Sequence, residues 1–143
     1  MTDKDLCQYK MKKREIVDLE ERINILLDKD FSTSHSTVRG SSKYFPYTEF
    51  HFGVWVDDPK EVSDRDKLLA IYRERQTAAR AAVLRIEQYI EGISDSELRM
   101  IFQYRYIDGK KLREIGDMMN RDYTGICKKI HDYLNFQTIQ QNQ

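Results

Sequence analysis

Cysteine, proline, net charge and long apolar runs are all scarce in this chain. Cys7 and Cys127 are its only cysteines, and neither belongs to a recognisable set of metal ligands, so no disulfide framework or zinc site is expected. No cofactor or metal is expected. The 24 basic and 24 acidic side chains cancel, so the charge of the whole chain does not argue for nucleic acid and any such case is local. No run approaches the roughly 20 apolar residues of a membrane span, and residues 1–10 lack the apolar core of a signal peptide. These absences lead us to expect a cytoplasmic protein with no membrane partner. What is present is 143 residues, 34% charged and 40% hydrophobic, with a mean hydropathy of −0.73. That balance suits a small domain with long, exposed helices rather than a disordered chain.

Hydrophobic spacing sets the organisation. Tyr9, Ile16, Leu19, Ile23 and Leu26 recur at three and four, with Lys12, Lys13, Arg14, Glu15, Glu20, Glu21 and Arg22 on the other faces, which predicts an amphipathic helix. A second pattern, starting after a cap at Ser63, runs Leu69, Tyr72, Gln76, Ala79, Val83, Ile86, Ile90 and Ile93, with Gly92 stopping the helix near Glu91. Seams this narrow are unstable alone in water, so the helices pair either as an antiparallel hairpin or with a second copy in a homodimer. Residues 31–63 read as a connecting loop. It opens with the polar run Ser32, Thr33, Ser34, His35, Ser36 and Thr37 and continues into an aromatic-rich cluster, Tyr44, Phe45, Tyr47, Phe50, Phe52, Val54 and Trp55, in which Phe50, Phe52 and Val54 alternate with His51, Gly53 and Trp55 and leave room for a short strand or β-hairpin.

The last third predicts three short helices. Ser94 and Glu97 form a capping box before Leu98, Ile101, Phe102 and Tyr106, and Asp108 and Gly109 stop that helix. A second helix covers Leu112 to Met119. After Asn120 and Arg121, Asp122 caps a third that reaches about Phe136, with Ile126, Ile130, Tyr133 and Leu134 inward. The expected fold is all-α. Residues 1–93 form a long helical hairpin or coiled coil, 94–136 a helix-turn-helix module, and 137–143 a polar tail.

A helix-turn-helix presents the outer side of its last helix to a major groove. Tyr123, Thr124, Cys127 and Lys128 flank or oppose Ile126 and Ile130, which makes them candidates for base contact, while Lys110, Lys111, Arg113 and Arg121 are placed to hold phosphate. Between Gly109 and Ile130 six basic residues (Lys110, Lys111, Arg113, Arg121, Lys128, Lys129) face three acidic ones (Glu114, Asp117, Asp122), a local charge of +3. Basic residues on a helix are more often a solvated face than a site, so this pattern alone does not decide DNA contact.

Arg105-Tyr106-Ile107-Asp108-Gly109, Leu112-Arg113-Glu114-Ile115-Gly116 and the helix from Asp122 to Leu134 resemble region 4 of sigma-70 family factors. The likeness spans residues 94–135. It implies that Glu114 and Ile115 are scaffold and that Arg121, Tyr123, Thr124, Lys128 and Lys129 face DNA. Gly116 stands where that family prefers alanine, Asn120 replaces the usual turn glycine, and Gly125 weakens the first turn of the last helix by roughly 1 kcal/mol relative to alanine. The wider chain, including Val38-Arg39-Gly40-Ser41-Ser42-Lys43-Tyr44-Phe45-Pro46-Tyr47-Thr48, is similar to small sigma-like regulators of phages and prophages of Gram-positive bacteria. The resemblance implies a transcription regulator in a bacterial host cell, with double-stranded DNA as partner. Nothing resembles sigma region 2, so a complete sigma factor is not expected.

Two other function classes compete. The sigma-like module could serve as an adaptor that binds RNA polymerase or a sigma partner without touching DNA, or the seams could make a structural coiled coil with the module as a cap. His35, His51 and His131 are scattered, and no nucleophile and base fall into a known catalytic arrangement, so no enzyme activity is expected. The aromatic cluster lacks the interleaved cations of a single-strand binding surface and is expected to pack against the helices.

Overall fold

The computed structural model describes residues 1–31, 33–41, 43 and 49–142, the side chains of 34–39, 41, 50 and 52 excepted. The fold is predominantly helical, in the order α1 (Asp3–Cys7), α2 (Tyr9–Leu27), β1 (Thr33–Ser41), β2 (Glu49–Asp57), α3 (Pro59–Glu91), α4 (Ser96–Phe102), a π-helical turn (Gln103–Ile107), α5 (Leu112–Met119) and α6 (Tyr123–Gln141). Contacts divide the chain into residues 1–19 with 75–143, and residues 20–74.

The first unit holds the main core. Leu6, Tyr9, Val83, Ile86, Ile90, Ile93, Leu98, Ile101, Phe102, Tyr106, Ile115, Ile126 and Ile130 form one buried cluster. Of the expected seam positions in this unit, Tyr9, Leu19, Ala79, Val83, Ile86, Ile90 and Ile93 are buried, and Ile16 and Gln76 are half-buried. Within this unit α2 and α3 meet with opposite chain directions. The Tyr9 hydroxyl donates to Glu87 Oε1 at 2.6 Å, and Arg75 Nη2 reaches Glu15 Oε1 at 2.9 Å. Helix α1 is held by a Thr2–Asp5 capping box, buries Leu6 completely, and is tied to the π-helical turn by the Tyr106 hydroxyl, which donates to Asp3 Oδ1 at 2.6 Å.

In the second unit the interval expected to be mostly loop is largely an antiparallel ribbon. Strands β1 and β2 pair from Thr33 with Asp57 to Ser41 with Glu49. The polar run at 33–37 is therefore strand, because cross-strand pairing with 53–57 outweighs the weak strand preference of its serines. Tyr44, Phe45 and Tyr47 of the aromatic cluster, and Ser32 of the polar run, lie outside the described residues. Trp55 is 72% exposed, so this member of the cluster is not packed away as expected. Ile23 and Leu69 are buried in this unit, and the Arg65 guanidinium sits 4.6 Å from the Phe31 ring centre.

Several helix ends differ from expectation. Helix α3 starts at Pro59, not after Ser63: Asp58 Oδ1 accepts from the Lys60 N–H at 2.8 Å, and proline needs no partner at a first helical position. The Ser94–Glu97 capping box does not form. Asp95 caps α4 instead, its Oδ1 accepting from the Glu97 N–H at 3.0 Å, one residue later than the sequence suggested. Helix α6 continues past Phe136 to Gln141, so most of the expected polar tail is helical.

Burial and acceptor carboxylates leave an alkaline signature. Burial first, then the hydrogen bond to Glu87, pushes the Tyr9 phenol up to about 12. Burial does the same at Tyr89, also to about 12, and raises Tyr106 with help from Asp3. The folded state thus holds these protons more tightly than the unfolded chain does. Their stabilisation is complete below pH 10 and declines as pH rises above about 10, by up to about 1.4 kcal/mol per pH unit for each tyrosine, being lost through about 12 at Tyr9 and Tyr89 and continuing to fall beyond that at the more strongly raised Tyr106. Urea midpoints at pH 9 and pH 11.5 should differ accordingly, and equal midpoints would refute this account of the three phenols.

Candidate nucleic-acid interface

The site is built around the connection from α5 to α6. Helix α5 ends at Asn120, which takes a left-handed conformation (φ 51°), and the Arg121 N–H then donates back to the Gly116 carbonyl at 2.9 Å. A Cβ on Gly116 would lie 2.7 Å from the Arg121 carbonyl oxygen. Glycine at 116, where the resemblance expects alanine, is therefore what allows the turn to fold over α5, and asparagine tolerates the left-handed step that glycine usually takes. Helix α6 then starts at Tyr123, with the Ile126 N–H donating to the Asp122 carbonyl at 3.1 Å. Asp122 occupies the cap position, but its side chain makes no cap hydrogen bond.

Buried Ile126 and Ile130 fix the rotation of α6, and a period of 3.6 residues turns Thr124, Lys128, His131 and Asn135 to the far side. All four are exposed, and Asn135 Nδ2 lies 3.1 Å from His131 Nδ1. Tyr123, 47% exposed, flanks this face. Cys127, one turn on from Tyr123 along the same flank, is exposed and borders a hollow of about 270 Å³ with Tyr106, Leu112 and Leu134.

The expected phosphate-holding cations separate into two sets. Lys111 and Arg113 are exposed at the start of α5; the Lys111 backbone N–H donates to Glu114 Oε2 at 2.9 Å, but the side-chain cations of Lys111, Arg113 and Lys128 have no carboxylate partner among the described residues. Lys110 is half-buried, with its ammonium 5.6 Å from the Tyr104 ring centre. Arg121 and Lys129 are instead both drawn to Glu97 on α4: Arg121 Nε to Oε1 at 2.7 Å, Arg121 Nη2 to Oε2 at 3.3 Å, and Lys129 Nζ to Oε2 at 2.5 Å. The Lys129 hydrogen bond, reinforced by Arg121, holds the Glu97 carboxyl below its ordinary value, so it is ionised at neutral pH.

Sequence reasoning missed three members of this surface. Glu97 was assigned to the capping box, and its true role depends on long-range packing of α4 against α6, which local spacing does not encode. His131 and Asn135 could have been found, because they follow Thr124 and Lys128 at helical spacing on the same face. No protein-family model, curated protein or solved structure matches this chain.

Proposed function

We propose that this chain is a DNA-binding transcription regulator of the small, phage or prophage sigma-70 region 4-like kind, in which α5, its turn and α6 act as a helix-turn-helix. The observation that carries the reading is that Thr124 and Lys128 are both exposed on the side of α6 away from Ile126 and Ile130. A groove-facing helix needs a polar outer face of this kind, with cations nearby to grip the backbone. Lys111 and Arg113 meet the second need. Helices α2 and α3 act in this reading as an antiparallel hairpin whose buried seam is satisfied within one chain, which favours the hairpin over a homodimer formed through the same residues.

Phosphate contacts make such binding steeply salt-dependent. Lys128→Ala should weaken binding to duplex DNA and lower the magnitude of the salt slope by about 0.9, while leaving the melting temperature nearly unchanged because the side chain is exposed. Fluorescence anisotropy of a labelled duplex across a salt series measures this. Binding that ignores salt, or that Lys128→Ala leaves untouched, would contradict it.

A second reading rests on Phe136 and Ile139, 59% and 60% exposed on the distal part of α6. Such apolar side chains suit a protein partner better than a phosphate backbone, and in this reading the module is an adaptor for RNA polymerase or a sigma partner. Co-purification with polymerase in the absence of DNA, abolished by Phe136→Ser but not by Lys128→Ala, would favour it.

A further inference from the structure

Glu97 sits where the proposed interface should be most cationic. Its two carboxylate oxygens take a fork from the Arg121 guanidinium, at 2.7 and 3.3 Å, and the Lys129 ammonium at 2.5 Å. Arg121 lies in the turn just ahead of α6 and Lys129 on its second turn, so the pair borders the same stretch as Thr124 and Lys128. A phosphodiester also presents two charged oxygens on one centre, and a guanidinium fork beside an ammonium suits either anion. The pair is open to water: side-chain exposures are 50% for Arg121, 33% for Lys129 and 29% for Glu97. Ion pairs this accessible contribute little to stability and exchange partners readily.

Building on the DNA-binding reading above, we propose that Arg121 and Lys129 form a site for a backbone phosphodiester of duplex DNA, and that Glu97 occupies this site in the free protein as an internal competitor. Glu97 then lowers affinity for any duplex, because each complex must exchange a carboxylate for a phosphate. Cations with no such partner, Lys111, Arg113 and Lys128, make the first electrostatic contacts. Arg121 and Lys129 engage only once the module is seated closely enough for a phosphate to displace the carboxylate.

The test is a cycle of variants read by anisotropy on a random-sequence duplex at roughly 0.1 M salt. Glu97→Gln keeps the shape and removes the charge, so the site gains the equivalent of about one phosphate contact, and affinity should rise about eightfold. In an Arg121→Ala, Lys129→Ala background the same Glu97→Gln change should give no gain. A gain that persists there is a general charge effect and overturns the inference. If the unmodified protein binds while Glu97→Gln matches it, this inference fails and the DNA-binding reading stands. Binding by neither protein, even at low salt, refutes both. Should Glu97→Gln fail to fold, the unmodified protein still decides: the Arg121 Nε resonance should shift when duplex is added, as phosphate replaces carboxylate, and an unmoved resonance overturns the competitor role.

Discussion

Phe102→Ala is expected to remove about 3–5 kcal/mol of folding stability, a large share of what a small domain has. Phe102 is fully buried, with ring centres 5.4 Å from Tyr106 and 5.6 Å from Tyr133. It is thus shared between α4, the π-helical turn and α6. Truncation loses the transfer of the ring from water and leaves a cavity that three elements cannot close together. The urea midpoint should fall steeply, and the duplex binding proposed above should then be lost at lower temperature than in the unmodified protein. A midpoint within the range of surface substitutions would mean that α6 is not oriented by this cluster.

Gly116→Ala is the second large effect, and its sign is opposite to the usual gain from alanine in a helix. Gly116 is buried within α5, where alanine would ordinarily be favoured by about 1 kcal/mol. Here the new methyl would lie 2.7 Å from a backbone oxygen, that of Arg121, so the turn itself must move. Overpacking of this kind costs about 1–3 kcal/mol. The displaced turn carries Arg121 and sets the start of α6, so under the proposed DNA-binding reading duplex affinity should fall together with stability. Gly125→Ala is the matched control: position 125 is exposed, and beyond its own turn of helix nothing lies within 4 Å of an added Cβ. A stabilised Gly116→Ala protein would refute the close approach.

The contrast between these two glycines illustrates what the sequence could and could not convey. The seams of α2 and α3, the limits of α5, and the inward stripe of α6 follow from period and composition: α5 spans Leu112–Met119 as its pattern suggests, Ile126 and Ile130 are buried, and Tyr133 and Leu134 are half-buried. Local cap chemistry was legible but misassigned. Asp58-Pro59 is a stronger helix start than Ser63, and Thr2 with Asp5 marks α1, which the hydrophobic pattern alone does not reveal. The ribbon of β1 and β2 was harder to see. A serine-rich strand takes its conformation from its partner, and pairing across the chain leaves only a faint trace in local alternation.

At the candidate interface, exposure of Tyr123, Thr124, Cys127 and Lys128 was readable from the apolar stripe, because one face of a helix defines the other. The engagement of Arg121 and Lys129 by Glu97 was not, since it joins residues 24 and 32 positions apart. Counting charge between Gly109 and Ile130 therefore overstates what is available to a partner. Two of the six cations there already hold a carboxylate from outside that window.

The outer face of α6 can be tested most directly by mapping backbone amide shifts while a duplex, selected from a random DNA pool for binding, is titrated into the full chain. Perturbations concentrated at 110–113 and 121–131 are expected, fading as salt is raised. Shifts confined to α2 and α3, or none at saturating duplex, would contradict the account.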